Sequence, residues 1–278
     1  MVEEEDLSIQ RSCAIVSLSR SMWHYKSIKD DSEVIDKLIE MSEIKPNRGF
    51  DYYYHRIRKQ GFIWNRKRVL RIYRLLGLTL RRKSRKRLPA RIKTPLEQPA
   101  QPREVWSMDF MSDSLTTGRR FRVLNIIDDY NRQALCTTSE FSMPSIRVVA
   151  HLKQAIEIYG KPLEIRVDNG PEFLSRLFVQ FCESESIHIK YIQPGKPSQN
   201  GYVERFNKTY REDVLDAYLF RNLEEARAQS EAFREDYNEN HPHESLGRKS
   251  PNELLDDFLK GASPFEKHFV IYALCEKR

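Results

Sequence analysis

The chain has 278 residues, of which 40% are hydrophobic and 31% are charged, so it can build one large domain or two smaller ones. No run of 18 apolar residues is present, which argues against a membrane span. The first ten residues are acidic where a secretion signal would be basic. The four cysteines are far apart and form no CxxC pair, which favours reduced thiols in a cytoplasmic protein.

The net charge of +7 is concentrated in one segment. Residues 56–93 contain 16 Lys or Arg and no Asp or Glu, while the rest of the chain is net negative. A polyanion is the natural partner of such a segment, and nucleic acid is favoured over a merely solvated basic face. A membrane surface fits less well, because most of the segment lacks a strongly apolar opposite face.

Residues 1–80 are predicted to be a helical, helix-turn-helix-like DNA-binding domain. One helix would bury a stripe of Val34, Ile35, Leu38 and Ile39. A later helix would start at an Asn65 cap, end at Gly77 and bury Val69, Ile72, Tyr73 and Leu76. The cations that fall largely off this stripe, and could reach DNA, are Arg66, Lys67, Arg71 and Arg74. The alternative is a small helical bundle with a solvated basic surface.

Residues 81–103 are predicted to be an extended linker, because they contain four prolines and no apolar period. The basic half of this linker, including Arg81, Arg82 and Lys83, could follow DNA phosphates. Residues 104–260 then change to an α/β pattern of three strands, helix, strand, helix, strand, helix. This order predicts one mixed sheet with helices on its faces. The first of these helices would bury Ile146, Val149, Leu152, Ile156 and Tyr159, and the second would begin at Pro171.

Three carboxylates occupy special places in this predicted sheet. Asp109 interrupts the first strand, Asp168 ends the fourth, and Glu204 lies in the first turns of the helix after the fifth. Converging carboxylates suit Mg²⁺, a hard ion with oxygen ligands. Two such ions, about 3.5–4 Å apart, can stabilise both the attacking and the leaving oxygen of a phosphoryl displacement.

The helix that carries Glu204 has two predicted faces. Its buried stripe would be Val203, Phe206, Tyr210 and Val214. Glu204, Lys208 and Arg211 share a neighbouring face, where the cations could grip phosphates. The plainer interpretation is a surface ion pair between Glu204 and Lys208.

Asp128 and Asp129 form a rival acid pair at the end of the second strand, for which a structural role in a turn is favoured. The three tryptophans, Trp23, Trp64 and Trp106, are expected in the core.

The motifs "WSMDF", "VDNGPEF" and "PGKPSQNGYVERFNKTYRED" together resemble the core of OrfB-type transposases of the IS-three family, relatives of retroviral integrases. In that family two Asp are followed, after 35 residues, by Glu and then by Lys or Arg seven residues later. The same spacing separates Asp168, Glu204 and Arg211. The upstream segment "RGFDYYYHRIRKQGFIWNRKRVLRIYRLLGL" and the downstream "YNENHPHESLGRKSPNELL" are also similar to family segments.

The resemblance implies a ribonuclease-H-like fold with a five-stranded mixed sheet and metal-dependent cleavage and joining of DNA. By motif position, Asp109, Asp168 and Glu204 would be the catalytic residues and would hold two Mg²⁺ ions, or Mn²⁺ in their place. Arg211 would contact DNA near the site, and Gln199 and Asn200 would border it. The implied partners are double-stranded DNA, as element ends and target, further copies of the chain, and an upstream-frame (OrfA-type) protein or fusion.

Two features depart from the family pattern. The downstream signature has His241 where Arg is usual, which puts a contact by this residue in doubt. The tail, residues 261–278, matches nothing expected of the family. The alternative function is therefore a catalytically inactive DNA-binding regulator that occupies element ends, although the three intact acids argue against a decayed site.

Overall fold

Eleven α-helices and five strands occur in the part of the chain that the computed structural model describes, residues 7–25, 30–80, 96, 98–193 and 197–261. The helices are α1 (Ile9–Ile15), α2 (Arg20–Trp23), α3 (Ser32–Ile44), α4 (Phe50–Lys59), α5 (Arg66–Leu75), α6 (Ser145–Tyr159), α7 (Pro171–Leu174), α8 (Arg176–Ser184), α9 (Gly201–Tyr210), α10 (Leu223–Asn240) and α11 (Pro251–Gly261). The strands are β1 (Val105–Ser114), β2 (Arg120–Asp128), β3 (Ala134–Glu140), β4 (Glu164–Val167) and β5 (His188–Tyr191). None of the described helices is both long and apolar enough to cross a membrane.

The five strands form one mixed sheet in the order β3-β2-β1-β4-β5. Strands β1, β2 and β3 are an antiparallel meander, and β4 and β5 run parallel to β1. The parallel strands are reached through helical crossovers, as parallel pairing requires. The order of strands and helices, and the predicted ribonuclease-H-like fold, are confirmed.

The two faces of the sheet bury different helices. On β1, Trp106 and Met108 point to a core shared with α6, α7 and α8. Alternate residues point the other way, so Met111 joins a second core shared with α9 and α10. Full burial of side chains of this size contributes about 1.5–3 kcal/mol each. Asp109 has the same parity as Met111 and therefore faces α9.

Several predicted details were wrong. Ile146 is 65% exposed and Ile39 is 39% exposed, because α6 and α3 bury stripes rotated away from these residues. Trp23 is 47% exposed, whereas Trp106 is buried. The helix predicted from Pro171 is two helices, since Ser175 has an extended backbone and its hydroxyl caps α8 by accepting from the Phe178 amide at 3.2 Å. Ser, Thr, Asn and Asp compete with helix hydrogen bonds in this way.

Helices α3, α4 and α5 have a hydrophobic core of their own, built around residues such as Leu38, Ile57 and Ile72. The predicted ends of α5 are confirmed. Asn65 accepts a hydrogen bond from the Lys67 amide at 2.8 Å, and Gly77 adopts a φ of 67°, which only glycine adopts readily. Most of the predicted linker, with Arg81, Arg82 and Lys83, and residues 262–278 of the tail lie outside the described residues.

The segment that follows α10 has two histidines, of which His241 packs against the N-terminal helices and His243 against α10 and His241. The His241 ring lies 5.5 Å from Tyr52 of α4 and 5.0 Å from Tyr237, and His243 stacks edge-on to Tyr237 at 5.1 Å. Desolvation lowers the pKa of His243 to about 3 and holds the pKa of His241 well below its ordinary value. His241, which stands where the family signature usually has Arg, therefore makes a packing contact between the two regions.

These histidines predict acid sensitivity. Their folded-state pKa values are depressed, so the unfolded chain binds more protons, and stability is lost as pH falls from about 6.5 toward 3. Each histidine would contribute up to about 1.4 kcal/mol per pH unit. The free energy of unfolding, measured in urea between pH 7.5 and 5.5, should fall less steeply in His243→Phe than in the native protein. The substitution keeps an aromatic ring at this position but removes the group that takes up a proton. An equal loss in both proteins would contradict this.

Candidate active site

Asp109 lies in the middle of the central strand of the sheet. It pairs in register with Asn125 of β2, and it faces α9. Its Oδ1 accepts from the Phe110 amide at 2.8 Å, and its Oδ2 accepts from Asn207 Nδ2 at 2.8 Å. A carboxylate with two donors on a paired strand has little freedom to rotate, so its position is well defined.

Asp168 directly follows the end of β4. The parallel pairing of β4 with β1 brings it beside Asp109. Ser107 pairs with Arg166, and each acid stands two residues further along its strand, on the same face. The Asp168 Oδ1 accepts from the Gly170 amide at 3.0 Å. A Cβ atom at Gly170 would lie 2.9 Å from this oxygen, so a side chain at residue 170 would displace the carboxylate.

Glu204 lies on α9, whose predicted buried stripe of Val203, Phe206, Tyr210 and Val214 is confirmed. The loop before α9 departs from the prediction at Asn200. This side chain is only 3% exposed and donates to the Met108 carbonyl at 3.2 Å, so it anchors α9 to β1 rather than facing DNA. Gln199 accepts from the Gln193 amide at 2.8 Å and closes the same loop.

The three acids interact electrostatically. Burial, opposed by the Phe110 amide and reinforced by the negative charges of Asp168 and Glu204, raises the pKa of Asp109 to about 6. Desolvation also raises the pKa of Glu204 above its ordinary value. Carboxylates from two strands and one helix therefore meet in one electrostatic neighbourhood, where a cation would relieve their repulsion.

The donor set fits a hard divalent cation, although the side chains are not drawn together around one point. Among the described residues, no three His, Cys, Asp or Glu side chains are grouped closely enough to hold a metal ion. Asp109, Asp168 and Glu204 offer only oxygen donors, which suits Mg²⁺ and Mn²⁺. Burial is the main cause of the raised pKa of Asp109, and the charges of Asp168 and Glu204 add to it.

Asn207 is a site residue that the sequence interpretation missed. It is buried, and its amide links Asp109 to Asn125, donating to Asp109 and accepting from Asn125 Nδ2 at 2.7 Å. It thus holds α9, and with it Glu204, against β1 and β2. The burial of Asn207 could have been predicted from the sequence, because this residue falls four positions after Val203, on the buried side of the helix. A buried amide there needs partners.

Lys208 and Arg211 continue from Glu204 along the exposed side of the helix. Their side chains are 62% and 40% exposed. Lys208 pairs with Glu212 at 3.7 Å instead of with Glu204. Arg211 donates to the Ser112 carbonyl of β1 at 3.1 Å. Arg211 also pairs with Asp113 at 3.7 Å and Asp216 at 3.6 Å, so both cations are open to solvent and held by acids outside the group of three.

The rival acids, Asp128 and Asp129, have structural partners. Asp128 is buried and accepts from the Arg103 and Tyr130 amides at 2.7 and 2.8 Å, which closes the turn after β2. Asp129 is buried in an ion pair with Arg166 at 2.7 Å. The structural role favoured for this pair is confirmed.

The predicted DNA-contacting cations on α5 fall into two groups. Arg66 pairs with Asp51 at 2.8 Å, and Arg71 pairs with Asp31. Lys67 and Arg74 are exposed, and neither forms an ion pair with another described residue. They are seven residues apart, which is close to two helical turns, so they share one face.

Comparison with known proteins places this fold and site in a family. Two family models, both described as integrase core domain, match residues 99–197 and 185–251. A 31.7 kDa protein of insertion element IS407 from Burkholderia multivorans is 36% identical over 254 residues, covering 91% of this chain and 92% of that protein. Transposase InsD of insertion element IS2 from Escherichia coli is 28% identical over 239 residues, covering 81% of this chain and 79% of that protein.

The chain belongs to the DDE transposases of the IS-three family. It is therefore a polynucleotidyl transferase of the DDE type, as the motifs predicted. Among solved structures, the transposase is similar to the HTLV-2 integrase catalytic core domain in complex with magnesium. That likeness has 23% identity and a TM-score of 0.45, and it covers 55% of this chain and 97% of the integrase core.

Proposed function

We propose that this transposase cleaves DNA at the ends of its insertion element and joins the freed 3′ hydroxyl to another strand, using Asp109, Asp168 and Glu204. The observation that carries the proposal is the strand register, which places Asp109 and Asp168 side by side on the sheet face that is covered by the helix of Glu204. Burial, together with the charges of Asp168 and Glu204, raises the pKa of Asp109, as expected for acids that lie near one another.

These three carboxylates would hold divalent ions, two Mg²⁺ or alternatively Mn²⁺. When bound, the ions would supply charge stabilisation to the oxygens that attack and leave the phosphorus. The protein's own contribution is placement. Asn207 and the Phe110 amide fix the Asp109 carboxylate, and the Gly170 amide fixes Asp168. Catalysis of phosphoryl transfer rests mainly on such positioning.

The cations around the acids would bind the substrate backbone. Lys208 and Arg211 extend from Glu204 along the solvent side of α9 and can meet phosphates that flank the scissile bond. On α5, Lys67 and Arg74 would contact the element end, while Arg66 and Arg71 could exchange their carboxylate partners for phosphates. The linker cations Arg81, Arg82 and Lys83 are proposed to follow the same DNA.

Two kinds of protein partner are proposed. Two element ends must be brought together, which favours a homo-oligomer on DNA. An upstream-frame (OrfA-type) protein or fusion is proposed as a second partner, on the family resemblance of the motifs.

The proposal is tested by incubating the purified protein with a labelled duplex that carries one end of its element. Nicking with Mg²⁺ and no nicking with EDTA would support it. Binding without nicking in Mg²⁺ or Mn²⁺ would favour the regulator that occupies element ends. A duplex of the same length and composition with a scrambled end is the control, and it should be bound more weakly and left uncut.

A further inference from the structure

The helix that carries Glu204 is held from behind by the N-terminal helices. Asp213, whose side chain is 5% exposed, is paired with Arg48 Nη2 at 2.7 Å and with Lys45 Nζ at 3.1 Å. Lys45 ends α3, and Arg48 lies in the short loop before α4. Lys45 donates a hydrogen bond to Asp213, and Arg48 adds a close opposite charge. Removing Asp213 would leave two partly buried cations without this partner.

Asp213 and Glu204 lie on different sides of one continuous helix. Helix α9 runs without a break into a π-helical turn, Arg211–Leu215, in which the Asp216 amide donates to the Arg211 carbonyl at 2.8 Å, five residues back. Asp213 is nine positions after Glu204. With about 3.6 residues per turn in α9 and more in the π-helical turn, this places Asp213 somewhat more than two turns beyond Glu204 and on a different side of the helix.

The π-helical turn is anchored on both sides. On the sheet side, Arg211 donates to the Ser112 carbonyl of β1 at 3.1 Å. On the opposite side, Asp213 meets Lys45 and Arg48. Single π-helical turns are rare and occur frequently at functional sites. Here the turn is the joint between the helix that carries Glu204 and the N-terminal helices.

We propose that Lys45 and Arg48 are positioning residues for strand cleavage, which hold Asp213 and thereby set the position of Glu204 against Asp109. The inference rests on the proposed role of Glu204. Helix α5, which carries Lys67 and Arg74, shares a hydrophobic core with α3 and α4, the two helices that flank the Lys45–Arg48 segment.

The test compares Asp213→Asn with Asp236→Asn. Asp236, on α10, is bound by Arg56 of α4 at 2.9 and 2.7 Å and lies 4.0 Å from Lys45 Nζ. Its substitution therefore removes an ion pair between the same two regions and leaves the shorter bond from Lys45 to Asp213, at 3.1 Å, in place. Cleavage rate at saturating element-end duplex, Kd for that duplex, and thermal midpoint are measured for both. Since a displacement of about 1 Å can cost about 100-fold in rate, Asp213→Asn should lose at least about tenfold.

The other readouts separate positioning from general stability. Kd should change by less than about twofold in both variants, and Asp236→Asn should also keep its rate within about twofold. The exchanged pair, Arg48→Asp with Asp213→Arg, should recover part of the rate. If Asp213→Asn does not fold, Arg48→Lys serves instead, because it keeps the charge and changes only the geometry, and its rate should fall while Kd holds.

Two results would overturn the inference. One is a native rate in Asp213→Asn, or in Arg48→Lys where that variant replaces it. The other is a rate that falls only in step with the thermal midpoint and does so equally in Asp236→Asn. A native protein that binds the duplex without cutting it is a separate result, which rejects the proposed function on which the inference depends.

Discussion

Asp109→Asn is expected to lower the rate of strand cleavage by about 1,000-fold or more while duplex binding stays within about twofold. The substitution removes one negative charge from the group of three acids. It also replaces one of the two carboxylate oxygens by an NH2 group. Both oxygens are already engaged, with the Phe110 amide and with Asn207, so an amide nitrogen would also oppose a donor. Single-turnover cleavage of a labelled element end measures the loss.

The control is Asp128→Asn, a buried acid at the end of the neighbouring strand β2. Asp128 accepts from two backbone amides and is proposed to have no part in the chemistry. Its substitution should lower the thermal midpoint and leave the cleavage rate of the folded protein close to native. Cleavage that survives Asp109→Asn and is lost in Asp128→Asn or Asp129→Asn would move the active site to the rival pair.

The double variant Lys67→Ala with Arg74→Ala is expected to weaken binding of the element end by roughly 10- to 100-fold at about 0.1 M salt. Both side chains are exposed on one face of α5, and neither forms an ion pair with another described residue. Two lost phosphate contacts should reduce the slope of log Kd against log salt by about 1.8. Fluorescence anisotropy at several salt concentrations gives both quantities.

A control of equal charge separates a site on α5 from a general effect of net charge. The double variant Lys161→Ala with Arg176→Ala also removes two exposed cations. Lys161 lies in the loop between α6 and β4, and Arg176 is the first residue of α8, so neither belongs to the N-terminal helices. Its affinity and salt slope should stay near native values. Equal losses in both double variants would show a bulk electrostatic effect, and no loss in the α5 variant would contradict the assignment of α5 to DNA.

The order of strands and helices could be predicted because each element has a strong local signal. The stripe of Val203, Phe206 and Tyr210 and the caps at Asn65 and Gly77 depend on residues within one or two turns. The break at Ser175 was missed because a serine within an amphipathic run can either continue a helix or cap the next one.

The site was only partly predictable. Asp109, Asp168 and Glu204 stood out as acids at strand and helix positions where charge is unusual. Asn207 looked like one more polar residue on a helix, since its partners, Asp109 and Asn125, lie 98 and 82 residues away.

The ion pairs of Lys45 and Arg56 with Asp213 and Asp236 were also beyond prediction. They span 168 and 180 residues, a separation at which no local pattern selects a partner. Asn200 was misassigned for a related reason. In a polar loop, nothing local distinguishes an amide that faces solvent from one that binds the Met108 carbonyl.

The most direct measurement is the anomalous difference density of Mn²⁺ in crystals of the transposase bound to an uncut element end. Density contacted by carboxylate oxygens of Asp109 and Asp168, with Glu204 contributing to the same site, is the predicted result. Loss of that density in Asp109→Asn should accompany it. Mn²⁺ bound at Asp128 and Asp129, or no Mn²⁺ at the three acids in crystals of a cleavage-competent complex, would contradict the three-carboxylate active site.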